Sequence, residues 1–182
     1  MKDKLKLYAF LAALAGGVIA LDQWTKYLVR TNLAIRQVWS PWDWLTPYAR
    51  VVHLDNSGVA FGLFQGSGAI FLILALVVAV IIIYYYPRIA QNDWILKVAL
   101  GMQLGGALGN VVDRILFNFR VTDFISVGDF PVFNIADASI SVGVVILLFG
   151  VWLQERRLAK KEVAENSEPQ VENENSQDET TM

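Results

Sequence analysis

Cysteine is absent from the 182-residue chain, histidine occurs once, and charged residues make up only 18% of the sequence. The lack of cysteine excludes a disulfide-stabilised scaffold, a thiolate metal site and a cysteine nucleophile. The single histidine, His53, together with scattered carboxylates is too small a ligand set to predict a metal centre, so we expect no metal and no cofactor. A net charge of −2 gives no basis for nucleic-acid binding, and we expect no nucleic acid among the partners.

Apolar side chains are present in excess. They make up 55% of the chain, and the mean hydropathy is +0.43, whereas an average soluble domain is roughly 45–50% apolar and about 25% charged. A soluble globule of 20.3 kDa would expose much of this apolar surface to water. Intrinsic disorder is excluded for most of the chain, because low hydrophobicity is its signature. The composition therefore predicts a membrane protein.

Four runs of sequence with almost no charge locate the membrane spans. A helix needs roughly 20 residues to cross the hydrocarbon core, and three of the runs reach that length only by including ionisable flanking residues. The first run follows three lysines and resembles a signal peptide, but three more spans follow it, so we expect it to be retained. We predict spans at about 7–27, 67–87, 96–117 and 135–155.

The segment between the first two spans is too long for a simple connector. Its aromatic residues are typical of a membrane surface, and β-branched residues over 48–54 indicate a short strand. We predict a four-helix membrane domain at 1–158 that includes a small outer β-element over about 30–66. The sequence from 159 to 182 is acidic and polar, which predicts a disordered tail. The predicted fold class is thus an all-α membrane protein, a four-helix bundle with a small β-element.

The distribution of basic residues predicts the orientation in the membrane. Nine of the fifteen lysines and arginines lie near the two termini and in the loop at 88–97, and six lie on the other side. The positive-inside rule then places both termini in the cytoplasm, and residues 30–66 and 114–136 on the outer face.

Ionisable and amide side chains at the ends of spans are costly to bury, so each is a functional candidate. Asp22 and Lys26 are four residues apart and can pair on one helix face, either as part of a site or as an interfacial ion pair. Asn56 and Gly58 fit a tight turn that leads into the second span.

The third span combines small residues with polar ones. Glycines at 101, 105 and 109 predict close packing between helices. Directly after them come Asn110, Asp113 and Arg114, spaced so that one helix face carries an amide, a carboxylate and a guanidinium. These residues are compatible with a buried Asp113–Arg114 pair, and equally with an Arg114 that holds a carbonyl or phosphate group of a ligand.

Asp123 and Asp137 lie before and at the start of the fourth span. Asn134 is placed to cap that helix, which puts Asp137 at the third position of its first turn. With no catalytic histidine or cysteine nearby, two carboxylates at one membrane depth suggest an aspartic dyad, in which one acid keeps a proton and the other activates water. The spacing is equally compatible with two helix-capping aspartates.

Five motifs in this order resemble lipoprotein signal peptidase, the bacterial signal peptidase II family. They cover about residues 5–155 and read Asp22-Gln-x-x-Lys26, Asn56-x-Gly58-x-Ala60-Phe61, Gly105-Gly-Ala-x-Gly109-Asn110-x-x-Asp113-Arg114, Val121-x-Asp123-Phe124 and Phe133-Asn134-x-Ala136-Asp137. Each motif alone is weak, whereas five in register are specific.

The resemblance implies a multi-pass aspartic endopeptidase of the bacterial inner membrane with a periplasmic β-cradle and an active site near the periplasmic face. Such enzymes cleave prolipoproteins just before a diacylglyceryl-modified cysteine. It implies Asp123 and Asp137 as the catalytic dyad. Substrate-binding and supporting residues would be Asn56, Gly58, Asn110, Arg114, Asn134, Asp22, Lys26 and Asp113. Membrane lipid and globomycin-type inhibitors are the further partners that it implies.

Two other classes of function would also place carboxylates in a membrane. A proton-coupled transporter normally shows internal repeats or interrupted spans near the midplane, and neither is found in this sequence. A structural assembly subunit would account for the glycines of the third span but not for five polar clusters.

Overall fold

Four long helices and a small sheet form the fold of the computed structural model, which describes residues 2–58, 66–89 and 93–167. All four helices are long and apolar enough to cross a membrane, which confirms the predicted fold class. The elements in chain order are α1 (Lys2–Asn32), β1 (Val38–Trp39), a 3-10 helix (Asp43–Leu45), β2 (Ala49–Asn56), α2 (Gly68–Ile89), α3 (Trp94–Leu116), β3 (Val121–Val127) and α4 (Ile135–Ser167).

The acidic tail does not begin at residue 159 as a disordered segment. Helix α4 continues through Ser167, because the alanine, lysine and glutamate residues of this stretch are strong helix formers whatever their net charge. The remainder of the predicted tail, 168–182, lies outside the described residues. The described residues up to Gly150 belong to one compact unit and those from Val151 to a second one, and the site described below lies in the first.

Helix α3 is buried along most of its length and is the centre of the bundle. Its first turn is capped by Asp93, whose carboxylate accepts hydrogen bonds from the backbone N–H groups of Ile95 and Leu96. Helices α1 and α2 pack against it, and buried apolar residues of all three helices form the core around Leu11, Ile82 and Leu100. Large apolar side chains on the outer face of α2 remain exposed, as a lipid-facing surface requires.

The glycines of α3 lie at its closest contacts with neighbouring helices. A Cβ atom on Gly101 would lie 2.6 Å from the side chain of Leu14, and one on Gly105 would lie 2.7 Å from the Cβ of Val18. Gly106, on another face, approaches the backbone of Ala136 at the start of α4. The predicted glycine packing surface is confirmed, and it brings the backbones of α1 and α4 close to α3.

Substitution of Gly105 tests this packing. We expect Gly105→Ala to destabilise the protein by about 1–3 kcal/mol, because the new methyl group meets both Val18 and, at 2.9 Å, the backbone oxygen of Ala15. The matched control is Gly16→Ala on α1, where an added Cβ meets nothing within 4 Å and helix propensity favours alanine by about 0.5–1 kcal/mol. The measurement is the thermal unfolding midpoint in detergent. Equal midpoints for the two variants would contradict the packing role.

The sheet has the strand order β1-β2-β3 and is antiparallel throughout. Strand β2 begins one residue after the start of the predicted strand and extends beyond its end to Asn56. His53 lies in β2 as predicted, but its side chain is buried, and its Nδ1 atom is 2.8 Å from the carbonyl oxygen of Leu33. Strand β3 was not predicted, although its run of Val, Thr, Phe and Ile is typical of a strand.

The register of β2 on β3 positions two candidate residues. Leu54 pairs with Asp123, and Asn56 pairs with Val121. The end of β2 is thereby held beside the start of β3, and Gly58 follows in a turn in which its N–H donates to the Asn56 side chain at 2.9 Å. The predicted turn at Asn56 and Gly58 is confirmed, whereas Ala60 and Phe61 of the same motif lie outside the described residues.

Candidate active site

A fully buried ammonium group is the centre of the polar cluster. Lys26 lies on α1, and its Nζ atom is 2.8 Å from Asp22 Oδ2 and 3.1 Å from Asp113 Oδ2 on α3. Its third donor reaches Asn110 Oδ1 at 3.0 Å. The predicted Asp22–Lys26 pair is confirmed, and all three ammonium protons have an acceptor.

Asp113 pairs with α1 and not with Arg114, so the alternative of a buried Asp113–Arg114 pair is wrong. Its Oδ1 accepts from Gln23 at 2.9 Å and lies 3.4 Å from Arg30, while its Oδ2 accepts from the backbone N–H of Thr122 at 3.0 Å. Consecutive helix residues point in different directions. Asp113 therefore faces α1 and β3, whereas Arg114 faces another way.

Two asparagine amides link this ion cluster to the two predicted catalytic aspartates. Asn110 Oδ1 accepts from Lys26 and, at 3.2 Å, from Asn134 Nδ2, so its own Nδ2 is directed at Asp137 Oδ1, 2.8 Å away. Asn134 Nδ2 also donates to Asp123 Oδ1 at 2.7 Å. Each carboxylate thus receives an amide donor from a buried asparagine.

Asp123 lies in β3 with only 4% of its surface exposed. Its second oxygen accepts from Asn56 Nδ2 at 2.9 Å. Burial, together with the nearby charge of Asp137, raises the pKa of Asp123 from 3.8 to about 7, against the opposing effects of the two amide donors and of the Lys26 charge. Because Asp123 lies within a strand, the alternative of two helix-capping aspartates is wrong for this residue.

Asp137 and Asn134 cap the N-terminus of α4 reciprocally. The backbone N–H of Asp137 donates to Asn134 Oδ1 at 3.0 Å, and the backbone N–H of Asn134 donates to Asp137 Oδ2 at 3.3 Å. This is a capping box, which confirms the predicted cap at Asn134. Asp22 adds a third contact, since its Oδ1 accepts from the N–H of Ala136 at 2.9 Å. The position of Asp137 is therefore set by α1 and α3 as well as by its own helix.

A cavity of about 480 Å³ lies against these groups. Asp123 and Asp137 both line it, and the rest of its wall is mostly apolar. Its polar lining residues also include Asn56, Asn110 and Arg114, and its apolar lining includes Phe130, Pro131, Val132, Phe133 and Val142.

Arg114 is held loosely compared with Lys26. One of its terminal nitrogens donates to the carbonyl oxygen of Asn110 at 3.3 Å, and its guanidinium lies 6.0 Å from the ring centre of Phe71. Its Nε atom is buried and has no hydrogen-bond partner within the part of the chain that the structure describes. A guanidinium that lines a cavity is suited to bind a carbonyl group of a ligand.

Three residues of the cluster were missed by the sequence analysis. Gln23 donates to Asp113 and to the carbonyl oxygen of Gly109, and Arg30 contacts both Asp113 and the hydroxyl of Thr122. The four-residue spacing from Asp22 through Lys26 to Arg30 was the signal for Arg30, since it continues the same helix face. Thr122 gave no signal, because its role depends on the unpredicted strand β3.

The charges of the cluster nearly balance. Among the described residues, the carboxylates are Asp22, Asp113, Asp123 and Asp137, and the cations are Lys26, Arg30 and Arg114. One proton on the Asp123–Asp137 pair makes the cluster neutral, which is the low-energy state for groups removed from water. No group of three or more histidine, aspartate or glutamate side chains in the described ranges is arranged to hold a metal ion.

Known proteins with similar sequences are described as signal peptidases, and a solved structure with a similar fold is that of a bacterial membrane enzyme. A family profile described as Signal peptidase (SPase) II matches residues 14–153. The lipoprotein signal peptidase of Shouchella clausii is 40% identical over 152 residues, which are 81% of this chain and 95% of that protein. The lipoprotein signal peptidase of Staphylococcus aureus is 31% identical over 150 residues, 80% of this chain and 90% of that protein. A bacterial membrane enzyme solved by the in meso method at 2.3 Å resolution superposes with a TM-score of 0.73 at 30% sequence identity. The matched region covers 80% of this chain and 88% of the chain of that enzyme.

Proposed function

The chain belongs to the signal peptidase II family, as its motifs predicted, and from this premise we propose that it cleaves prolipoproteins immediately before a diacylglyceryl-modified cysteine. It is an aspartic peptidase with four membrane-spanning helices. We propose Asp123 and Asp137 as its catalytic dyad, and water as the attacking nucleophile.

One observation carries the proposed dyad. Asp123 and Asp137 come from different elements, line the same cavity and lie close enough for the charge of Asp137 to raise the pKa of Asp123. Two carboxylates held in this way keep one proton between them, which supplies an acid and a base from the same pair of side chains.

The proposed reaction assigns a different role to each aspartate. Asp137, at the N-terminus of α4, is the ionised member, because the helix dipole favours a carboxylate there. It removes a proton from water as the water oxygen attacks the scissile carbonyl carbon. Asp123, protonated at the start, donates its proton to the developing carbonyl oxyanion. Collapse of the tetrahedral intermediate then breaks the C–N bond, and the leaving amine takes a proton from the dyad.

The remaining site residues are proposed to hold the peptide. Arg114 lines the cavity and is placed to bind a substrate carbonyl through its guanidinium, and Asn56 and Gly58 border the same cavity. Asn110 and Asn134 keep the aspartates in position. Asp22, Lys26 and Asp113 stabilise this arrangement through their buried ion pairs. The apolar cavity wall suits uncharged substrate side chains.

We further propose that the protein lies in the bacterial inner membrane with both termini in the cytoplasm and the site near the periplasmic face. The distribution of lysine and arginine supports this orientation. Lipid acyl chains of the modified cysteine would remain in the bilayer while the peptide enters the cavity. Globomycin-type inhibitors would occupy the same cavity and compete with the precursor.

Cleavage of a lipid-modified precursor by the purified protein in detergent tests this function. Mass spectrometry of the products is expected to locate the cut directly before the modified cysteine, and unmodified precursor is expected to be cleaved poorly. Proton or solute flux without cleavage, measured in vesicles, would instead support a transporter.

The pH dependence of cleavage follows from the protonation of Asp123. Since the acid must carry its proton and the pKa of Asp123 is about 7, activity is expected to fall as pH rises through about 7. Initial rates from about pH 5 to about pH 9, with saturating precursor, measure this loss of activity at high pH. Infrared spectra provide the control: the band of the protonated carboxyl is expected to vanish in Asp123→Asn and to persist in Asp137→Asn. The opposite pattern would reverse the two roles.

A further inference from the structure

Lys26 also donates a hydrogen bond to a neutral side chain, Asn110, which is not part of its ion pairs. Besides Asp22 and Asp113, its ammonium contacts the side-chain oxygen of Asn110 at 3.0 Å, and both Lys26 and Asn110 are buried. An ammonium group has donors and no acceptor. The Asn110 amide must therefore present its oxygen to Lys26, and its NH₂ group must point in the opposite direction.

That opposite direction leads to Asp137. Asn110 Nδ2 lies 2.8 Å from Asp137 Oδ1, so the orientation set by Lys26 makes Asn110 a donor to this carboxylate. Rotation of the amide by half a turn would place two donors against each other at Lys26 and two acceptors against each other at Asp137. A donor at this oxygen favours the ionised carboxylate, whereas an amide oxygen there would favour the protonated acid.

We infer that Lys26 is a positioning residue: by orienting the Asn110 amide, it keeps Asp137 ionised and leaves the proton of the dyad on Asp123. This inference rests on the proposed dyad. It gives Lys26 a role beyond the neutralisation of Asp22 and Asp113. That role runs through one hydrogen-bonded side chain and involves no contact between Lys26 and the substrate.

Other charged groups around this path come from each element of the site. They are Asp22 and Arg30 on α1, Asp113 and Arg114 on α3, Asp123 on β3 and Asp137 on α4. Arg30 provides the useful comparison. It also pairs with Asp113, at 3.4 Å, but its other hydrogen bond goes to Thr122 and none goes to Asn110.

The test compares Lys26→Met with Arg30→Met in the full chain. Each variant removes one cation from Asp113, and only the first removes the Lys26 donor from Asn110 Oδ1, which then keeps the 3.2 Å hydrogen bond from Asn134 alone. We expect Lys26→Met to move the acid limb of the pH–rate profile upward by about one pH unit, the effect of one nearby group on a carboxyl. We expect its kcat to fall about tenfold with KM changed less than about twofold, because the dyad and not substrate binding is altered. Arg30→Met is expected to leave the acid limb in place.

Asn110→Ala provides a second test of the inference that does not depend on the folding of Lys26→Met. It removes the amide while the two carboxylate partners of Lys26 remain, and it is expected to move the acid limb in the same direction. Equal shifts in Lys26→Met and Arg30→Met, or no shift in Asn110→Ala, would overturn the inference and leave the dyad intact. Retained cleavage by Asp123→Asn or Asp137→Asn would instead overturn the proposed dyad, and absence of cleavage by the wild-type protein would overturn the proposed function.

Discussion

Asp123→Asn and Asp137→Asn are each expected to lower the rate of precursor cleavage by about 10³-fold or more, since each removes an acid or a base that the reaction requires. The amide has nearly the same shape as the carboxylic acid, so the cavity and the precursor affinity are expected to persist. The measurement is a single-turnover cleavage rate, with precursor binding measured separately on the inactive variants.

Asp129→Asn is the matched control for these two variants. Asp129 lies between Asp123 and Asp137 in the chain, and its side chain is exposed. The same carboxyl-to-amide change there is expected to leave the rate within about twofold of the wild type, as is usual for an isolated surface substitution. Cleavage within about tenfold of wild type by either dyad variant would be incompatible with an aspartic dyad at these positions.

Asp113→Ala is expected to lower the free energy of unfolding by about 3–5 kcal/mol, the usual cost of removing one partner of a buried ion pair. Its carboxylate is fully buried and accepts from Lys26, Gln23 and the backbone of Thr122. The substitution leaves Lys26 with one carboxylate fewer and detaches β3, which carries Asp123, from α3. Thermal unfolding in detergent and the cleavage rate are both expected to show the loss.

Asp55→Ala provides the comparison for an exposed carboxylate. Asp55 in β2 lies 3.7 Å from Arg120 and 3.8 Å from His53, and 29% of its side chain is accessible. Solvent screening limits such pairs to about 0–1 kcal/mol. A loss of stability in Asp55→Ala that equals the loss in Asp113→Ala would show that the buried ion cluster contributes no more to stability than an exposed ion pair.

Local patterns predicted a large part of this architecture. Charge-free runs located the helices because a bilayer excludes charge over a length that residue counting measures directly. The glycines at 101 and 105 predicted a close helix contact, since only small residues allow it. The pair of Asp22 with Lys26 was predicted because a helix fixes which side chains four residues apart can meet, and Asn134 was predicted as the cap of the fourth helix from its position before that helix.

Partners distant in the chain were not predictable from such patterns. A pair between Asp113 and its neighbour Arg114 was one alternative that the spacing left open, but Asp113 contacts residues of α1 and the backbone of β3. Strand β3 itself was not predicted, because its residues are held in a strand by pairing with β2, which is distant in the chain. Local spacing says nothing about which of two adjacent helix residues faces a neighbouring element.

The sequence by itself determined that this protein has four membrane-spanning helices, that its few polar side chains gather near one end of them, and that it belongs with signal peptidase II. Periodicity, hydropathy and motif order suffice for these conclusions. Only the tertiary structure decided that Asp123 and Asp137 line one cavity and that Asn110 is held between Lys26 and Asp137. The physical reason is that an aspartic dyad depends on distances and hydrogen-bond directions between carboxylates on separate elements, and these are set by packing.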